Sequence, residues 1–157
     1  MDIPDGPYIG LYGSHTSAWR TPIMERLDAI GLKYYDPTDA GWRRIDSENG
    51  DAQQAEIDAL VAKQHRGLIG ASCVIFHLAW RKTWEDSQPG ETSYALASRC
   101  EFGYLTGRGI PTFFHIEPDV EGRNYLWAEA RSYPHMVQCL ALDEAVERGM
   151  EHMRRAS

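Results

Sequence analysis

The feature that most constrains the fold is the run CVIFHLA at residues 73–79. A strand with one solvent-exposed face alternates apolar and polar residues, whereas a continuous apolar run is typical of a strand buried on both faces. Strands of that kind occur in parallel sheets that have helices on each side. The rest of the chain must therefore supply those helices, and 157 residues with 43% hydrophobic content suit one such domain.

Strand-like and helix-like segments alternate along the whole chain. Further strands are predicted at residues 8–12, 32–36, 111–117 and 136–142. Helical spacing covers residues 18–30, 52–69, 92–106 and 124–131, and a last helix runs to about Arg154 with Asp143 as its cap. This order predicts a single domain over residues 1–157, an α/β sandwich around a five-stranded parallel sheet.

Charge and composition exclude several classes of function. The net charge is −7 and basic residues are scattered among acids, so a nucleic acid polymer is not expected as a partner. No apolar run approaches the roughly 18 residues of a membrane helix, and the acidic N-terminal segment lacks signal-peptide features, so we expect a cytoplasmic protein. Cys73, Cys100 and Cys139 are predicted to be buried free thiols, and no metal or cofactor is expected.

Glu101 lies in the apolar setting of SRCEFGYLTGRG, residues 98–109. Carboxylates are almost never fully buried unless a partner compensates them. One interpretation is a functional acid. The other is a structural pair with Arg99 or Arg108, or a place at the rim of a subunit contact, and the spacing alone favours this second interpretation.

Two segments near predicted strand ends also carry polar groups. Asp36 precedes Pro37, so it can face a ligand crevice or form an Asx turn. The loop GSHTS at residues 13–17 can hold a phosphate or sugar hydroxyls through its amides, or simply cap a helix through Thr16 or Ser17. These alternatives remain open on the sequence alone.

Three predicted loops, residues 13–17, 37–50 and 80–91, follow the carboxyl ends of the first three strands and are therefore expected at one edge of the sheet. Four tryptophans lie in or beside these loops. They are Trp19, Trp42, Trp80 and Trp84. Core packing explains any one of them, whereas several at one edge would form a stacking surface for a planar ring such as a nucleobase.

The chain resembles the nucleoside 2-deoxyribosyltransferase superfamily, which includes nucleoside and nucleotide N-glycoside hydrolases. The resemblance covers the order of elements from about Tyr8 to Leu126. It rests on a first strand ending in a small-residue loop, YIGLYGS, an acid after the second strand, YYDP, and a helical Glu followed by an apolar residue and Gly, CEFG. It implies a flavodoxin-like domain and, because sites in this family are often completed by a neighbouring subunit, a homodimer or higher homo-oligomer.

The resemblance also implies roles for individual residues. Glu101 would be the nucleophile at the anomeric carbon, and Asp36 would hold the sugar or transfer a proton. Substrate would be bound by Tyr12, Gly13, Ser14, His15, Trp19, Trp42, Trp80 and Ser98. The expected ligand is a nucleoside or a nucleotide.

Departures from the family pattern limit the functional prediction. Many members have a Gly-Thr pair just before the nucleophile, where this chain has Ala97 and Ser98. The Asp that is usual at the start of the third strand is Ser72 here, and an Asp that is common in the preceding helix is replaced near Gln64. Transferases of this kind also have an Asp shortly before the Gly-Thr pair. In this sequence Asp86 and Glu91 are the only acids near that position. The sequence therefore predicts cleavage or transfer of an N-glycosidic bond, with hydrolysis favoured. A non-catalytic nucleotide-binding or sensing domain is the alternative, and a flavin-binding flavodoxin is a third.

Overall fold

The structure is a computed structural model, and it describes residues 2–14, 19–40, 50–79 and 96–156. The strands are β1 Ile9–Gly13, β2 Tyr34–Tyr35, β3 Cys73–Leu78, β4 Thr112–Ile116 and β5 Met136–Gln138. The helices are α1 Arg20–Ala29, α2 Gly50–Ile69, α3 Leu96–Arg108, α4 Arg123–Ala130 and α5 Leu142–Ala156, with a short 3₁₀ helix at Pro37–Ala40. Within the described ranges, no helix is both long and apolar enough to cross a bilayer.

The strands form one parallel sheet in the order β2-β1-β3-β4-β5. The register places Gly13 of β1 beside His77 of β3, and His77 beside His115 of β4. Strand order reverses between β1 and β3, because the chain adds β2 on one side of β1 and the remaining strands on the other. The predicted five-stranded parallel α/β architecture of flavodoxin type is confirmed.

Two apolar cores cover the two faces of the sheet. On one face, Phe76 and Phe114 pack against Phe102 of α3, with ring centroids 5.1 Å apart in each pair, and α2 and α4 complete the layer. On the other face, Ile75 belongs to a cluster with Leu27 of α1 and residues of α5. Alternate residues of β3 therefore point into different cores, which explains why its whole sequence is apolar.

The edge strands are shorter than predicted. β2 has only two residues, Tyr34 and Tyr35, and β5 ends at Gln138, well before the predicted end at residue 142. The chain then enters α5 at Leu142, so Asp143 lies in the first turn of the helix and its predicted capping position is wrong. The carboxylate of Glu144 instead accepts a hydrogen bond from the amide of Leu140, at 2.8 Å.

One face of α3 is open to solvent, contrary to prediction. Cys73 and Cys139 are buried as expected, but Cys100 is exposed. Gly103 is exposed as well, and a methyl group added to it would meet no atom within 4 Å, so this glycine does not serve a close approach of the backbone. The helical repeat explains the error at Cys100, because it places Glu101, Phe102 and Leu105 inward and positions 100 and 103 outward.

Candidate functional site

The carboxyl ends of β1 and β2 and the facing turns of α1 and α3 form the candidate site. This place lies at the reversal of strand order, where open parallel sheets bind their ligands. Four polar side chains meet there, all of them buried. They are Tyr12, Arg20, Asp36 and Glu101.

The end of β1 is joined directly to β3. Gly13 has a φ of +124°, and a Cβ at this position would lie 1.9 Å from the carbonyl oxygen of His77, so only glycine fits. The amide of Ser14 donates to the same carbonyl at 2.9 Å, and Ser14 Oγ accepts from the amide of Ala79 at 3.0 Å. Both predicted substrate-binding residues therefore also hold the first loop against the sheet.

Arg20 is the cation of the site, and its side chain is 5% exposed. Its Nε donates to the carbonyl of Leu11 at 3.0 Å and lies 3.3 Å from Asp36 Oδ1. Its Nη1 donates to Ser14 O at 2.8 Å, and its Nη2 donates to Gly13 O at 3.2 Å. One guanidinium thus fastens the end of β1 to the residue that follows β2.

Asp36 has the contacts of a turn former. The amide of Thr38 donates to its Oδ1 at 2.9 Å, and the Thr38 hydroxyl lies 2.7 and 2.8 Å from the two carboxylate oxygens. These bonds start the 3₁₀ helix, as expected of an Asx turn before Pro37. Together with the Arg20 ion pair they occupy both oxygens of Asp36 inside the protein.

The Oε2 atom of Glu101 has no such partner among the described residues. The residue is 6% exposed, and its Oε2 accepts no hydrogen bond in the part of the chain that the structure describes. The two predicted structural partners are engaged elsewhere, since Arg99 donates to the carbonyl of Glu121 and Arg108 lies over the Tyr104 ring at 4.9 Å. The pairing of Glu101 with either arginine is therefore wrong.

Burial and one nearby cation set the charge of Glu101. Burial raises the pKa of its carboxyl to about 8, and the Arg20 guanidinium acts in the opposite direction without a direct ion pair. Burial also lowers the pKa of Arg20 to about 10, against the attraction of Asp36 and Glu101. The hydroxyl of Tyr12 donates to Gln64 O at 2.8 Å, and its pKa is raised by burial and then by the Glu101 charge.

Sequence reasoning missed Arg20. The residue opens α1, where the partial positive charge of a helix N-terminus disfavours a cation. A basic residue at the start of a helix was the sequence feature that could have drawn attention to Arg20. Its partners are backbone carbonyls and an aspartate from another strand, so spacing along the chain could not reveal them.

Trp19 and Ser98 are both buried. The Trp19 indole donates to Ser14 O at 3.0 Å, one ring face is covered by Arg20 at 4.3 Å, and the ring of His77 lies edge-on at 5.4 Å. Trp19 is 7% exposed, so it packs as a core residue in this structure. Ser98 lies one helical turn before Glu101, on the same side of α3. The other predicted binding residues, His15, Trp42 and Trp80, lie outside the described residues, as does Trp84.

A histidine pair occupies the other face of the sheet. The rings of His77 and His115 stack at 5.1 Å with their Nδ1 atoms 3.2 Å apart, and His77 Nε2 lies 3.6 Å from Glu117 Oε1. Burial lowers the pKa of His77 to about 4, so this ring is neutral near pH 7. Across residues 2–14, 19–40, 50–79 and 96–156, no three His, Cys, Asp or Glu side chains are grouped to hold a metal ion.

Comparisons with known proteins bear on the fold alone. No protein-family model and no curated protein matches this sequence. A solved structure, described as a conserved protein from Enterococcus faecalis V583, aligns with 92% of this chain and 98% of its own chain, with a TM-score of 0.59 and 10% sequence identity. At that identity the likeness extends to the architecture and to nothing finer.

Proposed function

We propose that this protein cleaves or transfers the N-glycosidic bond of a nucleoside or nucleoside 5′-monophosphate, with Glu101 as the nucleophile. The proposal includes membership of the nucleoside 2-deoxyribosyltransferase superfamily and a homo-oligomeric assembly. The observation that carries it is the buried Glu101 carboxyl, whose Oε2 has no protein partner among the described residues. It lies at the sheet edge where ligands bind in folds of this kind.

The chemistry requires a poorly solvated carboxylate. A C–N glycosidic bond breaks through an oxocarbenium-like transition state, as glycosidic bonds do in sugar hydrolysis. A Glu101 oxygen forms a bond to the anomeric carbon as the C–N bond breaks, and the bonding pair leaves with the base, which takes up a proton. Water then attacks the same carbon and frees Glu101, with one water proton going to solvent. A second base in place of water gives transfer.

The surroundings of Glu101 suit this role. Phe102 and Leu105 make its side of α3 apolar, which limits hydration of the carboxylate. Arg20 favours the ionised form through space, yet its hydrogen bonds go to carbonyls at and just after the end of β1, and it makes no direct ion pair with Glu101. The nucleophile is thus ionisable without being neutralised by a direct contact.

A non-catalytic nucleotide-binding or sensing domain is the second candidate. The observation in its favour is that Asp36, the other expected acid, is held by Thr38 and Arg20. The hydroxyl of Tyr12 is likewise engaged by the backbone of Gln64. An enzyme of the proposed kind must then rely on Glu101 without help from a free second carboxylate among the described residues.

A product-release assay separates the two candidates. The purified protein is incubated with purine and pyrimidine ribonucleosides, deoxyribonucleosides and their 5′-monophosphates, and free base is measured by chromatography. We expect release of base from at least one of them by the wild-type protein, and none above background by Glu101→Gln. Saturable binding without release by the wild type would favour the sensing domain, and neither binding nor release would refute both candidates.

A further inference from the structure

Two buried side chains that carry a polar atom without a partner belong to residues that interact with Tyr12. Gln64 of α2 is 4% exposed, and its Nε2 makes no hydrogen bond within the described ranges. Glu101 Oε2 is the other such atom. A buried donor without an acceptor destabilises the folded state, so native proteins keep few of them. An unpaired donor and an unpaired acceptor on two residues that interact with the same tyrosine point to a ligand group that satisfies both.

Tyr12 connects the two side chains. Its hydroxyl donates to the backbone carbonyl of Gln64 at 2.8 Å, and the charge of Glu101 raises the pKa of the same hydroxyl. Beside them the rings of His65 and Tyr104 stack at 5.1 Å, which packs α2 against α3 at this level. Gln64 and Glu101 therefore belong to one buried region between the two helices.

The chemistry of the two groups selects the ligand group. An amide N–H needs an acceptor, and a carboxylate needs a donor. A phosphate or carboxylate would satisfy the amide but would be repelled by Glu101, and an ammonium group would leave the amide unpaired. A hydroxyl both accepts and donates, so one hydroxyl can meet both needs.

We infer that Gln64 is a specificity-determining residue that binds, together with Glu101, one hydroxyl of the substrate's sugar. This inference rests on the proposed function, since it takes the ligand to be a nucleoside or nucleotide. It also implies that any 5′-phosphate is bound away from this pair. A site that hydrogen-bonds a hydroxyl discriminates strongly against the analogue that lacks it, because its own polar groups are then left unpaired.

Equilibrium binding tests the inference without turnover. The probes are formycin and pseudouridine with their 2′-deoxy and 3′-deoxy forms, because the C–C bond between sugar and base in these nucleosides cannot be cleaved by the proposed reaction. Dissociation constants are measured by calorimetry. We expect the wild type to bind at least one parent nucleoside about 10-fold or more tightly than one of its deoxy forms, the effect of one unmet hydrogen bond. In Gln64→Met that ratio should fall to within about 3-fold. Gln138→Met, the same substitution on β5, should keep the wild-type ratio.

Thermal melting of the same variants separates ligand binding from a structural role. Removing an unpaired buried donor should leave Gln64→Met at least as stable as the wild type, whereas a structural amide would lower its melting temperature. The inference is overturned if the wild type does not discriminate between the probes, or if Gln64→Met discriminates as the wild type does. The wild-type comparison needs no variant, so it stands even if Gln64→Met does not fold. Discrimination in binding without release of base would reject the proposed reaction and retain the role of Gln64.

Discussion

Protonation of Glu101 should stabilise the folded protein and suppress the proposed activity. The pKa of its carboxyl is 4.5 when free and about 8 in the folded protein. Between these values the folded state binds more protons than the unfolded state, so the free energy of unfolding falls as pH rises. The contribution is fully present below about pH 4.5 and is lost as pH rises through about 8. The proposed nucleophile must be ionised, so the proposed activity should rise over the same pH window.

Glu101→Gln is expected to separate these effects. Turnover should fall by orders of magnitude, because the amide cannot trap the anomeric carbon, while substrate binding should weaken far less. Its melting temperature should exceed that of the wild type at pH 8, because neutralising a poorly solvated acid relieves a desolvation penalty. Melting curves at pH 5 and pH 8 and product release are measured on the same preparations.

Glu129→Gln, an exposed acid on α4, is the matched control and should change neither quantity. Undiminished turnover in Glu101→Gln would refute the assignment of the nucleophile. A marked loss of stability at both pH values would instead indicate that the carboxylate pairs with a cation in the protein.

Individual residues of the site differ in how well the sequence predicts their importance. Glu101 could be singled out because an acid amid Cys100, Phe102 and Leu105 breaks a local pattern. Gln64 and Arg20 break no comparable hydrophobic pattern, and their importance comes from partners on other elements, such as Tyr12. Local sequence identifies an unusual residue, whereas long-range hydrogen bonds decide what it does.

At the scale of elements, the guanidinium of Arg20 links the end of β1, the start of α1 and the residue after β2, and this place is called the junction below. Arg20→Met should destabilise the protein by about 3–5 kcal/mol, because Asp36 is left as a buried charge without its cation and three β1-end carbonyls lose a donor. Arg20→Lys keeps the charge but lacks the guanidinium fork, so it should recover only part of the loss. Urea denaturation followed by circular dichroism measures these differences.

Arg26→Met provides the comparison within the same helix. Arg26 pairs with Asp143 at 3.2 Å, but both groups are exposed, so its loss should cost about 0–1 kcal/mol. If Arg20→Met and Arg26→Met destabilised the protein equally, the guanidinium of Arg20 would not hold the junction as described.

Central and edge elements differ in how well sequence predicts them. β3 and β4 lie within the predicted segments, and β1 begins and ends one residue later than predicted, because neighbours on both sides and layers on both faces demand apolar runs. β2 and β5 pair on one side only, and apolar residues continue into the turns beside them. Both strands are therefore shorter than the sequence predicts. The open face of α3 was misjudged for a similar reason, since apolar residues such as Cys100 also occur on exposed faces.

The molecule as a whole carries a second pH dependence, from the histidine pair. The pKa of His77 is lowered from 6.5 to about 4, mainly by burial, so the unfolded state binds its proton more readily. The contribution of His77 to stability is therefore fully present above about pH 6.5 and is lost as pH falls through about 4. Among the described residues, the charged groups that act on the pair are Arg20, Glu117 and Arg123.

His77→Phe should make the protein more resistant to acid. The phenyl ring can keep the stacking against His115 and the edge contact with Trp19, but it cannot take up a proton. The melting temperature of the variant should therefore fall less than that of the wild type between pH 6.5 and pH 4. His65→Phe, at an exposed position on α2, should follow the wild type. An unchanged acid dependence in His77→Phe would assign the effect to other groups.

The Arg20 hydrogen bonds have an evolutionary consequence. Because they hold the junction of β1, α1 and β2, descendants of this chain can lose Arg20 only with a large loss of stability. Glu101 is under the opposite pressure, since its neutralisation stabilises the fold and removes the proposed reaction. Paralogues released from catalysis should therefore diverge first at position 101 and keep the arginine at position 20. Retention of Arg20 in a distant sequence would then indicate a shared architecture, and retention of Glu101 would indicate selection for the chemistry.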